Sequence, residues 1–256
     1  MKKKEDIGLI IQGLIFDNGY DCNKNINIIL DKYSHLFNDI LITTWHDQEK
    51  YLKIKFSKNK VKIKLLDDPG QPKTYSNEFK KYNDFRINYQ SYHSICSLQN
   101  KYIVKIRSDM EIDLESAIEH YFSELERKKK ISVTQKEDEG IICGSSFRID
   151  LPYGIGDLFY MGDNKLLGKF FYAQIKFKRF RFNLIFGSSE QETVKRYLFS
   201  IRKNFKEKKS LDFFPMLKKN ILSESTFYDE DSLFFWQYLV RNIFTILPDD
   251  IRSNIK

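Results

Sequence analysis

Ile7-Gly8-Leu9-Ile10-Ile11-Gln12-Gly13-Leu14-Ile15 is an apolar run closed off by Asp6 on one side and Asp17 on the other. A strand with one wet face alternates apolar and polar residues, and this run does not. It reads as a strand buried on both faces, the situation of a parallel sheet covered by helices. The segments that follow agree with that reading. Ile26, Ile29, Leu30, Tyr33 and Phe37 recur at helical spacing over Asn25–Phe37. Asp39–Trp45 is rich in β-formers, and Val61–Leu66 alternates before ending in the turn signal Asp67-Asp68-Pro69-Gly70.

From Asn77 to Gln99 the apolar positions Phe79, Tyr82, Phe85, Tyr89, Tyr92 and Cys96 fall three and four apart, which predicts a long helix capped by Asn77. Tyr102–Arg107 reads as a strand running into Ser108-Asp109, Leu114–Leu125 as a helix and Ile131–Thr134 as a short strand. Strands alternating with helices in this way argue for an α/β fold, a mostly parallel central sheet flanked by helices. Beyond it, Ile141–Phe147 reads as a strand and Leu151–Gly162 as a loop rich in glycine and aromatics. Asn164–Ala173, Glu190–Asn204 and Leu233–Phe244 read as helices. One domain over residues 1–256 is expected, with room for a helical C-terminal subdomain from about residue 175.

Composition sets the outer limits. With 41 % hydrophobic and 15 % aromatic residues, 5 Pro and 11 Gly in 256 residues, the chain is neither disordered nor collagen-like. Its formal charge of +8 favours acidic partners such as nucleotides or anionic lipids. Three scattered cysteines suit a reducing compartment. Phe16-Asp17-Asn18-Gly19 follows the first apolar run where a signal peptide needs small residues, so a cytoplasmic protein is expected. Several common signatures are missing. There is no Gly-x-x-x-x-Gly-Lys loop and no Gly-x-Ser-x-Gly elbow, and Gly154-Ile155-Gly156 lacks the third glycine of a dinucleotide fingerprint. His93 and Cys96 are too few for a zinc site and read as packing.

In an open parallel sheet, ligands bind outside the carboxyl ends of the strands. Those ends carry Gln12-Gly13, Thr44-Trp45-His46, Asp67-Asp68 and Arg107-Ser108-Asp109-Met110-Glu111. An amide, an indole, paired carboxylates and an arginine converging there suit a nucleotide diphosphate. Arg107 would pair with phosphate, Trp45 would pack on a base or sugar, and Asp67 or Asp68 would accept from base or ribose. Asn88 and Gln90, on the long helix, are candidates for the donor-pocket wall. Asp109 with Glu111 is the candidate set for a hard divalent cation, Mn²⁺ or Mg²⁺.

The order Ile10-Ile11-Gln12-Gly13, Thr43-Thr44-Trp45, Asp67-Asp68-Pro69-Gly70, Asn88-Tyr89-Gln90 and Lys105-Ile106-Arg107-Ser108-Asp109 resembles the WavE-type lipopolysaccharide-synthesis family. Gly156-Asp157-Leu158-Phe159-Tyr160-Met161-Gly162 and Glu190-Gln191 resemble later segments of that family, so the likeness spans about residues 7–200. It implies a Rossmann-like GT-A type fold and a nucleotide-sugar-dependent glycosyltransferase of surface polysaccharide synthesis, with a glycan or lipid-linked acceptor. Arg107-Ser108-Asp109 would stand where such enzymes place their metal- and diphosphate-binding aspartate, although this chain departs from a strict Asp-x-Asp.

If the reaction inverts, a carboxylate must reach the acceptor hydroxyl; Asp157, Asp163 and Glu190 are the candidates. Tyr153, Phe159 and Tyr160, beside Asp157, are candidates for stacking on a sugar. The basic-aromatic stretch Lys169–Arg181 can hold a peripheral contact with the inner face of the membrane, or simply be a core segment with a charged outer face. Two alternatives from other classes are a sugar-nucleotide nucleotidyltransferase on a similar sheet and a non-catalytic basic nucleic-acid-binding protein. No recognised nucleic-acid motif supports the last, and no nucleic-acid partner is expected.

Overall fold

In a computed structural model of the chain, the described residues are 6–54, 61–70, 84–131, 140–145, 156–176, 194, 197, 198, 200, 243–248 and 251. The elements in chain order are β1 (Ile7–Gln12), β2 (Phe16–Asp17), β3 (Tyr20–Asp21), α1 (Asn23–Tyr33), β4 (Asp39–Trp45), β5 (Val61–Leu66), α2 (Asp84–Ile95) and β6 (Tyr102–Arg107). They are followed by α3 (Leu114–Ile131), β7 (Ile142–Ser145), β8 (Gly156–Asp163), α4 (Asn164–Lys176) and β9 (Phe244–Ile246).

Seven strands form one sheet in the order β5-β4-β1-β6-β8-β7-β9, and β2 pairs with β3 as a separate hairpin. β1 pairs in parallel with both β4 and β6, while β8 runs antiparallel to its neighbours β6 and β7. The other main-sheet strands all point the same way. This is the mostly parallel, helix-flanked, Rossmann-like α/β architecture expected. After β1 the chain builds outward through β4 and β5, then crosses back to lay β6 on the opposite side of β1. The gap between the ends of β1 and β6 is therefore a topological switch point, where an open α/β sheet leaves a crevice.

The alternation of a pleated strand distributes the core. Leu9 and Ile11 of β1 face Ile26, Ile29 and Leu30 of α1 and Ala117 and Tyr121 of α3. Ile10, between them, faces the other way into a cluster with Ile95 of α2 and Leu167, Phe170 and Phe171 of α4. All six β1 residues are buried, which is why the run shows no alternation in the sequence. Lys105 is an exception in kind: it is fully buried in β6, with its ammonium 5.5 Å from the Tyr160 ring centroid.

Several elements differ from their sequence reading. The expected loop at Leu151–Gly162 holds strand β8, whose Phe159 and Tyr160 are buried in the core and offer no stacking surface to a sugar. α3 runs on through Ile131, so the expected strand cannot begin there. Phe244, read as the end of a helix, opens strand β9. α2 is described from Asp84, and the proposed cap Asn77 lies outside the described residues. The described part of Lys169–Arg181 belongs to α4, where Phe170 and Phe171 are buried, so the core reading holds for those residues against a membrane-facing one. Val194, Tyr197 and Leu198 pack in the same cluster as Phe170 and Phe244. Among the described residues no helix is long and apolar enough to cross a membrane.

Candidate functional site

A cavity of about 440 Å³ opens at the carboxyl ends of β1, β4 and β6, within the range of small-ligand sites. Its floor is a tight crossing of two strand ends. The Ser108 N–H donates to the Gln12 carbonyl at 2.8 Å, and Ser108 Oγ donates to the Leu14 carbonyl at 2.7 Å. Gly13 sits between them at φ +136°, and a Cβ there would lie 2.7 Å from Ser108 Oγ. Glycine alone fits both the backbone angle and the space. One wall is the β2–β3 hairpin with Asp17, Tyr20 and the following Cys22, and another is α2 with Arg86, Ile87 and Gln90. Trp45 closes the β4 side, and Arg107 and Asp109 close the β6 side.

Two arginine–aspartate pairs place their guanidinium groups at the site. Arg107 Nε donates to Asp109 Oδ1 at 2.9 Å and Nη2 to Oδ2 at 2.5 Å, with both side chains about 35 % exposed. Arg86 pairs in the same two-pronged way with Asp68, Nε to Oδ1 at 2.8 Å and Nη2 to Oδ2. Its guanidinium also lies 5.6 Å from the Trp45 ring centroid. The forked geometry fixes each guanidinium plane, a preorganisation that suits later contact with phosphate or a nucleobase edge. Burial, followed by the nearby Cys22 and then the Asp109 and Glu111 charges, raises the Tyr20 phenol above its ordinary range. Burial likewise outweighs the side-chain contact with Ser108 and pushes the Cys22 thiol up, so Cys22 is a protonated thiol at neutral pH.

Gly13, Trp45, Arg107, Ser108 and Asp109 thus meet around one cavity, as the strand-end argument expects. The amides behave differently. Gln12 Nε2 donates to the Ile87 carbonyl at 3.4 Å and its Oε1 accepts from Ser91 Oγ at 2.8 Å, while Gln90 Nε2 donates to the Thr43 carbonyl at 2.8 Å. Both glutamines border the cavity, but these polar ends pin α2 to the strand tips. Asn88 is buried and does not border it. Asp67, its side chain 97 % exposed, lies 3.8 Å from His46 and away from the lining. Asp68 reaches the site only through Arg86.

The carboxylates expected to act as base are not gathered here. Asp163 pairs with Tyr102 at the opposite rim of the sheet, six residues or about 20 Å of strand from Ser108. Its Oδ1 accepts from the N–H groups of Lys165 and Leu166 at 2.9 and 3.2 Å and caps α4. The Asp157 backbone stands two residues before Phe159, the partner of Ile106, so it is at the same end of the sheet as the cavity; its side chain is outside the described residues. Glu190 and Tyr153 also lie outside them. The sequence reading missed Arg86, Asp17, Tyr20 and Cys22. Arg86 stands one turn before Gln90, which is the signal that could have placed it on the same helix face.

The expected cation ligands do not fit a resident divalent ion. Both Asp109 oxygens are already engaged by Arg107, whose charge cancels theirs, and Glu111 is exposed and outside the lining. Among the described residues no three His, Cys, Asp or Glu side chains converge as a metal set.

No family model and no curated protein matches the chain. Among solved structures it is similar to a 4-diphosphocytidyl-2C-methyl-D-erythritol synthase from Anaerococcus prevotii, at 10 % identity and TM-score 0.41, covering 93 % of this chain and 97 % of that one. It is also similar to the bifunctional IspDF from Campylobacter jejuni, at 11 % identity and TM-score 0.39, covering 72 % of this chain and 46 % of that one, less than half the length of that protein. These findings correct the expectation of glycosyl transfer. The first of these two is named as a diphosphocytidyl synthase and the second as a bifunctional IspDF, and neither as a glycosyltransferase. Asp163, one of the candidate bases for that transfer, is committed to capping α4 at the far rim.

Proposed function

We propose that the cavity between β1 and β6 binds a nucleotide and that the chain is a nucleotidyl-transferring enzyme. It would move the nucleoside monophosphate part of a triphosphate onto an anionic acceptor such as a sugar phosphate or polyol phosphate. The observation that carries this reading is Arg107 on the wall of a roughly 440 Å³ cavity, beside side-chain-free Gly13, at the point where the strand order reverses.

The chemistry is consistent with what the described residues offer. A phosphate acceptor is already ionised at neutral pH, so its oxygen can attack the α-phosphorus without a carboxylate to remove a proton. As that P–O bond forms, the bond from the α-phosphorus to the bridging oxygen breaks and pyrophosphate departs with its electron pair. What the protein must supply is preorganised positive charge and N–H donors near the phosphates. Arg107, its charge shared with Asp109, lines the cavity for that role, and Gly13 lets the phosphate chain approach the backbone. Trp45 and Arg86 offer a ring and a guanidinium for the base.

The test is pyrophosphate release from each of the four common nucleoside triphosphates, in the presence of a panel of sugar and polyol phosphates. At least one pairing is expected to release pyrophosphate stoichiometrically with a nucleoside-diphosphate-linked product. No triphosphate bound and no pyrophosphate released across the whole panel overturns the reading.

A further inference from the structure

The turn that carries Asp109 is hung from a residue outside the cavity. Asn25, in the first turn of α1, is buried, and its Nδ2 donates to the Ser108 carbonyl and to the Met110 carbonyl, both at 2.8 Å. Those two carbonyls bracket Asp109. Asn25 does not border the cavity, so both are drawn into the protein beneath the turn. A carbonyl oxygen facing a bound phosphate would repel it; held by Asn25, these two cannot swing round. The same clamp fixes the turn against the β1 end, to which Ser108 is already tied through Gln12 and Leu14. Asn25 Oδ1 is buried with no hydrogen-bond partner among the described residues, so the amide acts through its Nδ2 alone, and leucine of similar size there would leave the Ser108 and Met110 carbonyls without that donor.

We infer that Asn25 is a positioning residue for anion binding: by clamping Ser108 and Met110 it sets the Arg107–Asp109 pair and keeps those two carbonyl oxygens turned from the cavity. This rests on the reading that the cavity takes the phosphates of a nucleotide.

The experiment titrates the full chain with inorganic pyrophosphate and with each of the four nucleoside triphosphates by calorimetry, and records the thermal midpoint of each variant. Asn25→Leu is compared with Arg107→Ala, with the double variant, and with Asn164→Ala. The last removes part-buried hydrogen bonds to the Leu98 and Asn100 carbonyls at the opposite rim of the sheet. The wild-type chain is expected to bind pyrophosphate and Asn25→Leu to bind it at least tenfold more weakly. Asn164→Ala, though less stable, stays within twofold of wild type. The double variant is expected to bind no more weakly than Arg107→Ala, since Asn25 acts through that arginine.

Binding by Asn25→Leu within twofold of wild type, or a loss that adds in full to that of Arg107→Ala, overturns the inference. If Asn25→Leu does not fold, Asn25→Ser is judged by the same thresholds. If the wild-type chain binds pyrophosphate and no triphosphate, the nucleotide reading falls, and the pyrophosphate comparison still decides the role of Asn25. No binding of either overturns both.

Discussion

Gly13 and Arg107 bear opposite kinds of burden at the site. At φ +136° any other residue at position 13 is strained by about 1–3 kcal/mol, before the 2.7 Å approach to Ser108 Oγ is counted. Gly13→Ala is expected to cost about 2 kcal/mol or more in urea unfolding and to weaken nucleotide binding as well; unchanged stability would show the crossing to be looser than described. Arg107→Ala is expected to leave stability within about 1 kcal/mol, because a pair one-third exposed to solvent contributes little. Its nucleotide affinity should fall at least tenfold by calorimetry, and undiminished affinity would count against the anion site. Gly13, Trp45 and the Arg107-Ser108-Asp109 run were legible in the sequence because the ends of parallel strands converge whatever the details of packing. Gln12 and Gln90 were legible as polar residues at the right place but not as fasteners, because composition does not say whether an amide's partner is a ligand or a neighbouring backbone carbonyl. Asp163 was misplaced for a similar reason: a carboxylate just before a helix serves as a cap as readily as a base.

At the scale of elements, α4 and α3 carry the clearest expectations. Phe170 is fully buried between Tyr160, Phe171 and Tyr197, and Phe170→Ala is expected to cost about 3–5 kcal/mol in urea unfolding, with a smaller loss indicating that α4 closes over the gap. Lys128 of α3 donates to the Phe244 carbonyl of β9, and burial holds its ammonium down to about 8. An unfolded lysine titrates near ~10.4. Between these values the unfolded chain keeps a proton that the folded chain has released, so this group makes stability rise with pH across that window. Comparing urea unfolding at pH 8 and 10, Lys128→Met should show a smaller rise than wild type; equal slopes would refute the assignment. The helical periodicity of α1, α3 and α4 was readable because each buries a stripe. β8 was not, since its glycines and aromatics look like a loop until β6 supplies a partner. Three-residue β9 is too short to show a period at all.

The whole molecule joins a sheet whose architecture was legible from a few strong strands to a cavity whose lining depends on which way each side chain turns. The α/β class followed from β1 being apolar throughout and from the alternation of strands with helices. The reaction did not follow, because short motifs at strand ends specify a polar rim and leave open what binds or is transferred there. The account rests on phosphate lying against Arg107. The most direct measurement is a crystal structure of the chain soaked with whichever nucleoside triphosphate binds most tightly. Phosphate oxygens within hydrogen-bond distance of Arg107 and beside Gly13, with the base toward Trp45 and Arg86, are the predicted result. A nucleotide bound elsewhere, with the Arg107–Asp109 pair untouched and the cavity filled only by water, would contradict it.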